Sequence, residues 1–485
     1  MTILKVALTP FWKLCLIVAA ICPAPLCWSQ LTERVLHSFS GGSDGQEAYA
    51  GLVQGADGAL YGTTFQGGTN NAGLIFKANP DGSGNAPIWS FERNSINPGG
   101  IANPSGLIQG RDGGFYGTEG FGGTNSEGSV FRVNPNGTRF EVLHSFSHYF
   151  SGPYEPTAAL VQGTDGMLYG TTQYGGSGGV GSVFKVNTNG TGYATLHNFG
   201  SIPNDGNQPQ SPVIQGLDGA LYGATTLGGA SAIGGASGFG TVYRLTTNGT
   251  DHTILHNFMP SGGDGQLPYT AGLVQAKDGV LYGTTQQGGN AANGGSSGQG
   301  TIFKLNPDGT GFTIIHNFTG GATDGALPNS AMVLGTDGIL YGTTEVGGEN
   351  DQGVVFRLNT QGGGFQLLHH FGGTNDGRYP WAPLIQASDG GLFGTTTSGG
   401  DKNLGTVFRL APGPPVFSGL ELLPDKSMRL SVRAASNFIY RIEASSDHKT
   451  WQSITNIMNA SDTFQFIDQG CSSMPMRFYR AAWVP

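Results

Sequence analysis

The sequence predicts an all-β protein, a seven-bladed β-propeller closed by an N-terminal outer strand and followed by a small β-sandwich. Three observations carry this prediction. The motif Asp-Gly-Ala-Leu-Tyr-Gly-Thr-Thr at residues 57–64 recurs six more times at steps of 52 to 60 residues, which indicates a repeat architecture. Each repeat holds four short segments of strand-forming composition. The order of these segments is out of phase at the two ends of the repeat region.

The repeat is built from short segments separated by tight turns. In the first copy these segments are Gly51–Gln54, Leu60–Thr64, Gly73–Lys77 and Ile88–Phe91. They are rich in β-branched and aromatic residues, and Asx-Gly pairs that favour hairpins join the first to the second and the third to the fourth. Each copy therefore predicts a four-stranded antiparallel meander. The copies centre on Tyr61, Tyr116, Tyr169, Tyr222, Tyr282, Tyr341 and Phe393.

The two ends of the repeat region complement each other. A segment of the fourth type, Val35–Phe39, precedes every segment of the first type, and the last repeat, 383–410, holds only the first three types. Ring closure explains both facts, because the N-terminal strand then completes the last sheet and removes an exposed edge. An open β-solenoid is the competing interpretation, and in it the surplus and the deficit need not match.

Residues 1–29 have the pattern of a secretory signal peptide. Lys5 and Lys13 give a positive start, Leu14–Cys22 is apolar, and Ser29 is a small residue at the predicted cleavage site. The apolar run is too short for a transmembrane helix, and no other stretch is long enough. We therefore expect a secreted or cell-surface protein with no membrane span after signal removal. Only Cys471 remains in the mature chain, so no internal disulfide is expected.

The charge of the repeat region limits the classes of partner that are expected. The repeat region, 30–411, contains 14 basic and 26 acidic residues. An acidic surface repels phosphate backbones and anionic lipid, so nucleic acid and anionic membranes are not expected partners.

The chain changes character after the repeats. Residues 412–415 form a Pro-rich linker, and 416–485 predict a small immunoglobulin- or fibronectin-like β-sandwich. The segments with strand character are Met428–Val432, Phe438–Ala444, Gln452–Ile454, Phe464–Ile467 and Arg477–Ala482.

The recurring sub-motifs resemble a known family. They are Asp-Gly-x-Leu-Tyr-Gly-Thr-Thr, Gly-Gly, Gly-Thr-Val-Phe-Arg/Lys-Leu, Asn-x-Asx-Gly-Thr and Leu-His-Ser/Asn-Phe, and together over about 34–410 they resemble the GloVer repeat of secreted bacterial proteins, of Verrucomicrobia type. The tail resembles C-terminal modules of exported proteins of the same bacteria. The resemblance implies a repeat fold and export, and it implies no reaction. Local departures are Glu119 for the second Thr, Trp89 for the His and Leu334 for the first-strand Gln.

Two recurring polar residues have structural and functional interpretations. Histidines of the fourth segments would lie at equivalent places around a ring, too far apart to act together, so a buried hydrogen bond to a second-strand Thr is favoured over metal binding. These histidines are His37, His144, His197, His256, His316 and His370. The first-strand glutamines either line a central channel or bond to backbone at the strand end. They are Gln54, Gln109, Gln162, Gln215, Gln275 and Gln386.

Candidate ligand-binding residues lie on the loops that join the fourth strand to the next first strand. These loops and the loops that join the second strand to the third should open on one face and vary most in length, and function tends to reside on variable loops over a rigid scaffold. Aromatic rings there could stack on sugars, and aspartates could accept hydroxyl hydrogen bonds or coordinate Ca²⁺, although no loop carries a calcium-binding string and no cofactor is required. The candidates are Tyr49, Tyr154, Tyr269, Tyr379, Trp381, Asp205, Asp264, Asp324 and Asp376. The alternative interpretation is that the Asp-Gly-x-x-Pro sequences only shape turns.

The sequence supports three functional hypotheses and identifies no catalytic residue. The first is a repeat scaffold for binding, with an extracellular glycan or a cell-surface component as partner. The second is a propeller glycoside hydrolase or polysaccharide lyase that uses loop carboxylates such as Glu119, Glu155 and Glu345, since a glycosidase needs two close carboxylates. The third is a structural component of the cell surface.

Overall fold

A computed structural model describes residues 4–7, 32–92, 103–230, 238–259, 263–270, 272–290, 298–411, 415–434, 438–447, 449–459, 463–470 and 476–484. Apart from residues 4–7, the predicted signal peptide lies outside the described residues, as do most of the predicted linker and the loop residues 93–102, 231–237 and 291–297. The described residues belong to two compact units. The larger contains Arg34–Gln386 and Leu392–Arg409, and the smaller contains the described parts of Met1–Glu33, Ala387–Gly391 and Leu410–Pro485.

The protein is all-β, as predicted, and its repeat region forms seven four-stranded sheets. The first strands are Val53–Gln54, Ile108–Gln109, Val161–Gln162, Ile214–Gln215, Val274–Gln275, Val333–Leu334 and Ile385–Gln386. The second strands are Leu60–Thr64, Phe115–Glu119, Leu168–Thr172, Leu221–Thr225, Leu281–Thr285, Ile339–Thr344 and Leu392–Thr396.

The remaining two strands of each sheet follow the same order in the chain. The third strands are Leu74–Ala78, Ser129–Val133, Ser182–Val186, Thr241–Leu245, Thr301–Leu305, Val354–Asn359 and Thr406–Ala411. The fourth strands are Ala86–Ser90, Phe140–Ser145, Ala194–Asn198, His252–Asn257, Thr313–Asn317, Gln366–His370 and, for the last sheet, Thr32–Ser38. The N-terminal strand thus completes the seventh sheet, as its offset predicts.

The recurring Asp-Gly-x-Leu-Tyr sequence builds the hairpin between first and second strands. Asp57 accepts hydrogen bonds from the Ala59 amide at 3.1 Å and from the Tyr61 hydroxyl at 2.8 Å. Gly58 has φ of 81°, a conformation that glycine adopts without steric cost. Lys77 Nζ, on the third strand, lies 2.8 Å from Asp57 Oδ2. The Asp57 turn and the basic residue after the third-strand Phe therefore connect the first, second and third strands at one end of the sheet.

Apolar cores lie between consecutive sheets. Tyr61 and Ile75 of the first sheet share one buried cluster with Phe115 and Phe131 of the second. The rings of Tyr61 and Phe115 have centroids 4.2 Å apart. The second-strand Tyr and third-strand Phe therefore form the core between sheets.

A hydroxyl of the second strand links most sheets to the next. The first Thr of Gly-Thr-Thr donates to a backbone carbonyl just before the first strand of the following sheet. The pairs are Thr63–Ser105, Thr118–Ala158, Thr171–Ser211, Thr284–Ser330, Thr343–Ala382 and Thr395–Ala50. The fourth sheet has Ala224 at this position, so it lacks this hydroxyl, and the nearby Thr226 hydroxyl lies 3.4 Å from the Tyr269 carbonyl oxygen. The last pair joins the seventh sheet to the first.

The loops carry short elements of their own. The two 3₁₀ turns are Gly42–Asp44 and Tyr149–Ser151. The two-residue strands of the loops are Gly206–Asn207, Leu227–Gly228, Gly265–Gln266, Gln287–Gly288, Gly325–Ala326, Val346–Gly347, Gly377–Arg378 and Ser398–Gly399.

The smaller unit contains two further sheets. One is ordered Val416–Leu422, Met428–Arg433, Thr463–Asp468, and the other is ordered Leu4–Ala7, Met476–Val484, Phe438–Ser445, Gln452–Asn459. Side chains of both sheets, among them Leu430, Val432, Tyr440 and Ile442, belong to one buried cluster. The strand Val416–Leu422 was not predicted, because its apolar residues do not alternate. Among the described residues, no helix is long and apolar enough to cross a membrane.

Candidate functional site

In every repeat, the loop that leads into the first strand pairs with the loop that follows the second strand. Four repeats form a two-residue ladder, as between Gly206–Asn207 and Leu227–Gly228. The other three form single bridges, at Gln46 with Gln66, at Tyr154 with Tyr174, and at Pro104 with Glu119, which is the last residue of its second strand. The two variable loops of each repeat therefore lie together on one face, as the sequence predicts.

An equivalent residue in each loop that leads into a first strand has left-handed backbone. The seven are Glu47, Asn103, Glu155, Gln208, Leu267, Leu327 and Tyr379, with φ between 50° and 57°. This conformation is uncommon for residues other than glycine. Backbone contacts hold it: the Tyr379 amide donates to the Gln352 carbonyl at 2.9 Å, and the Thr397 amide donates to the Tyr379 carbonyl at 3.2 Å. The left-handed residue sets the direction of the chain that follows it.

The residue two positions after the left-handed residue differs from repeat to repeat. At this position stand Tyr49, Ser105, Thr157, Gln210, Tyr269, Asn329 and Trp381. We call these seven residues the variable ring. Because each member follows a left-handed residue at the same spacing, the ring presents different side chains from equivalent places. All of its members except Asn329 line a single pocket.

This pocket has a volume of about 360 Å³, and every repeat contributes to its wall. The rings of Tyr49 and Trp381 have centroids 5.9 Å apart at 85°, and those of Tyr269 and Trp381 are 6.3 Å apart at 85°. Amides and hydroxyls complete the wall, including those of Gln173 and Gln210. None of the described lining residues carries a charge.

The tyrosine hydroxyls of the pocket are held in their neutral form. Burial raises the pKa of Tyr49, and the nearby Glu47 and Glu345 carboxylates add to the shift. Burial likewise raises the pKa of Tyr269. Each hydroxyl can therefore donate a hydrogen bond to a neutral acceptor at ordinary pH.

The rim of the pocket is ordered by side-chain hydrogen bonds. Gln286 Nε2 donates to Asn329 Oδ1 at 2.8 Å, and Asn329 Nδ2 donates to Glu345 Oε2 at 2.7 Å. Thr226 Oγ1 donates to Gln210 Oε1 at 3.1 Å. Asn329 thus supports the rim rather than lining the pocket.

Three of the predicted ligand-binding residues meet at the pocket and two tyrosines do not line it. Tyr49, Tyr269 and Trp381 line it. Tyr154 stacks with Tyr174, with ring centroids 5.6 Å apart, and Tyr379 is the left-handed residue of its loop. The aromatic residues of the loops therefore divide between the wall of the pocket and the support of its loops.

The predicted aspartates do not line the pocket. Each accepts a hydrogen bond from the fourth-strand histidine of its own loop at 3.0 to 3.3 Å, in the pairs His197–Asp205, His256–Asp264, His316–Asp324 and His369–Asp376. Each also accepts the amide of the following glycine, as from Gly325 to Asp324 at 2.8 Å. These contacts close the turn, so the geometry favours the interpretation that Asp-Gly-x-x-Pro shapes the loop.

The histidine assignment needs two corrections. The partner is this loop aspartate rather than a second-strand Thr, whose hydroxyl is engaged with the neighbouring sheet. In the sixth sheet the equivalent residue is His369 rather than His370, because His369 stands two residues before Phe371, with ring centroids 4.6 Å apart. The Asp–His pair was missed because seven or eight residues separate its members and the loop between them varies.

The first-strand glutamines bond to backbone. Gln109 Nε2 donates to the Gly113 carbonyl at 3.0 Å, and its Oε1 accepts the Ala56 amide of the preceding repeat at 2.8 Å. The same acceptor role recurs at Gln162, Gln215, Gln275 and Gln386. Of the two interpretations of these residues, the geometry supports backbone bonding.

The three carboxylates proposed for hydrolysis belong to different repeats. Glu119 is buried and accepts the Ser129 hydroxyl at 2.6 Å, and burial raises its pKa. Burial also raises the pKa of Glu155 and that of Glu345. None of the three lines the pocket.

Comparison with known proteins gives a family and distant structural neighbours. The model of the Gloeobacter/Verrucomicrobia repeat matches residues 90–294 and 289–422. No curated protein sequence matches the chain. A fungal alcohol oxidase of the AA5 family, in complex with copper, is similar at 12% identity over 93% of both chains, with a TM-score of 0.48. A protein of unknown function from Dyadobacter fermentans is similar at 13% identity, over 79% of this chain and 97% of that one, with a TM-score of 0.41. We infer no activity or ligand from these distant similarities.

Proposed function

Because the chain belongs to the Gloeobacter/Verrucomicrobia repeat family, we propose that it is an exported repeat scaffold whose variable ring binds a neutral glycan. In this proposal the seven sheets form a seven-bladed β-propeller, and the pocket opens at its centre. The hydroxyl links that join consecutive sheets and return from Thr395 to Ala50 support closure.

The composition of the pocket wall is the observation that carries the proposal. Sugars present apolar C–H faces and many hydroxyl groups, so they are recognised by aromatic rings beside amides and hydroxyls. Tyr49, Tyr269 and Trp381 supply the rings, and Gln173 and Gln210 supply amides that can both donate and accept. The described lining residues have no charge to select an ionic ligand.

The same observation weakens the case for hydrolysis in this pocket. A glycosidase places two carboxyl groups on either side of the scissile bond. Glu345, whose carboxylate influences Tyr49, is held by Asn329 at the rim. The proposal is therefore binding without turnover.

A glycan array screened with the full-length secreted protein, together with a reducing-sugar release assay on the bound glycans, tests the proposal. We expect binding to a set of neutral glycans and no release of reducing ends. Release that disappears in Glu119→Gln or Glu155→Gln would instead establish the hydrolase hypothesis. If the protein neither binds glycans nor releases reducing ends, the hypothesis that remains is a structural role at the cell surface.

A further inference from the structure

The interface between the third and fourth sheets departs from the repeat at two positions. In four other interfaces, a ring just before or at the start of the fourth strand stacks on the fourth-strand ring of the preceding sheet, and it is Phe140, Tyr193, Phe312 or Phe365. Here it is His252, whose ring lies 3.7 Å from that of His197 at 8°. The third-strand Phe of the other six repeats is replaced by Tyr243.

The two departures place polar atoms in the core without hydrogen-bond partners. Among the described residues, His252 Nδ1, His252 Nε2 and Tyr243 Oη are buried and unpartnered. The His252 side chain is 7% exposed and Tyr243 is fully buried. A buried polar group without a partner destabilises a protein, so such a group in a native structure calls for an explanation.

A carboxylate faces both imidazoles. Asp205 Oδ2 lies 3.0 Å from His197 Nε2, and Asp205 Oδ1 lies 3.9 Å from His252 Nε2. The Asp205 side chain is 1% exposed. One potential ligand atom from each of the three residues lies within 4.8 Å of the others. Tetrahedral bonds of about 2.0–2.1 Å place ligand atoms roughly 3.3 Å apart, so these separations are close to those of a bound ion.

We propose that His197, His252 and Asp205 bind one Zn²⁺ ion between the third and fourth sheets. Two imidazoles and a carboxylate are ligands that Zn²⁺ accepts, and a site with three protein ligands keeps a fourth position for water. Tyr243 Oη is the neighbouring buried group left to hydrogen-bond that water. The imidazole rings of His197 and His252 are stacked, so their nitrogen lone pairs run nearly parallel. For both nitrogens to bind one ion, one ring must tilt toward the other.

The ion would have a structural role. It would join the third repeat to the fourth through residues of both, and it would satisfy the buried Nε2 of His252. In the next interface His256 stacks on Phe312, so the second imidazole is absent there and the Asp264–His256 pair stands alone among the described side chains. This difference supplies matched control variants.

The test uses the full-length protein stripped with EDTA and dialysed. Wild type is titrated with Zn²⁺ by calorimetry and with Co²⁺ by visible absorption, beside His252→Phe. This variant carries the ring that Phe312 provides in the next interface, so the stack is kept. If it fails to fold, as judged by circular dichroism, His252→Tyr replaces it, because Tyr193 fills the equivalent place in the preceding interface.

We expect wild type to bind one more equivalent of Zn²⁺ per chain than the variant and to show the d–d bands of tetrahedral Co²⁺, which the variant loses. Zn²⁺ should also raise the Tm of wild type more than that of the variant, since an ion that binds only the folded state stabilises it. Equal stoichiometry and equal Tm shifts in both proteins, or no binding by wild type, would overturn the proposal.

Discussion

Thr395 donates a hydrogen bond from its hydroxyl to the backbone carbonyl oxygen of Ala48, at 3.2 Å. The two residues are 347 positions apart in the chain. The same hydroxyl lies 3.3 Å from the Ala50 carbonyl oxygen, and this contact repeats, between the last repeat and the first, the link that Thr63 makes to Ser105 between the first and second. The amide of Phe39 also donates to the Gly405 carbonyl at 3.0 Å. The ends of the repeat region therefore contact each other as internal neighbours do.

Replacing Thr395 by Val should destabilise the protein as much as replacing Thr63 by Val. Val keeps the shape and removes the donor, which leaves a buried carbonyl short of one bond at a cost of about 1 kcal/mol. Urea unfolding of both variants measures the two changes. A loss in Thr63→Val with none in Thr395→Val would show that the ends do not form a closed ring in solution.

Leu334→Gln should stabilise the protein. Leu334 occupies the place where other first strands carry the Gln whose Oε1 accepts an amide of the preceding repeat, as Gln275 accepts that of Leu217 at 2.8 Å. The new side chain would reach the amide of Lys277 and contribute about 0.5–1.5 kcal/mol. Thermal unfolding compares it with Gln275→Leu, for which we expect a loss of similar size. A lower Tm in Leu334→Gln would contradict this role.

Asp324→Asn should reduce the decrease in the free energy of unfolding that accompanies acidification. Burial raises the pKa of Asp324, but the hydrogen bond from His316, its charge and two amides outweigh burial, so the pKa is lowered. A lowered folded-state pKa gives stability that is present above the unfolded value of about 3.9 and lost as pH falls through the folded value. The destabilisation by Asp324→Asn, measured in urea, should therefore be largest near neutral pH and shrink on acidification.

The exposed Asp401 provides the control for this prediction. Asp401→Asn should change the free energy of unfolding by no more than about 0.5 kcal/mol at any pH tested. A pH-independent difference between wild type and Asp324→Asn would mean that the carboxylate charge does not contribute.

Glu119→Gln should leave the protein at least as stable at neutral pH. Burial raises the pKa of Glu119, so the folded state favours its protonated form, and stability falls as pH rises from the unfolded value of about 4.3 toward the folded one. Gln is neutral and keeps an acceptor for the Ser129 hydroxyl. Denaturant unfolding from pH 4 to about 8 measures the effect. A large loss of stability near neutral pH would show that the Glu119 charge is required.

The sequence was sufficient for the strands because their signals are local. The second strand Leu60–Thr64 has the predicted bounds, since Asp57-Gly58 fixes its start and the motif recurs in every repeat. The end of the fourth strand was less well predicted. In the sixth sheet the adjacent histidines 369 and 370 have the same chemistry, and only their distance to Phe371 and the contact with Asp376 distinguishes them.

The pocket could be predicted only in part. Tyr49, Tyr269 and Trp381 were identifiable because they are aromatic residues in variable loops. That these three residues converge could not be predicted, because it depends on their shared position two residues after the left-handed residue. Differences in loop length between repeats obscure this shared position in the sequence. The four predicted aspartates instead contact histidines of their own loops, because a carboxylate in a turn satisfies nearby amides more readily than it reaches a distant pocket.

The most direct test of the glycan proposal is the affinity of Trp381→Ala for the strongest array ligand, measured by isothermal titration calorimetry. Trp381 contacts both Tyr49 and Tyr269, so its removal opens the aromatic wall, whereas Tyr149→Ala removes an aromatic residue that does not line the pocket. We expect Trp381→Ala to weaken binding at least about tenfold, or about 1.4 kcal/mol, and Tyr149→Ala to leave it unchanged. Unchanged affinity in Trp381→Ala, with the fold intact by circular dichroism, would contradict the proposal that this pocket binds the glycan.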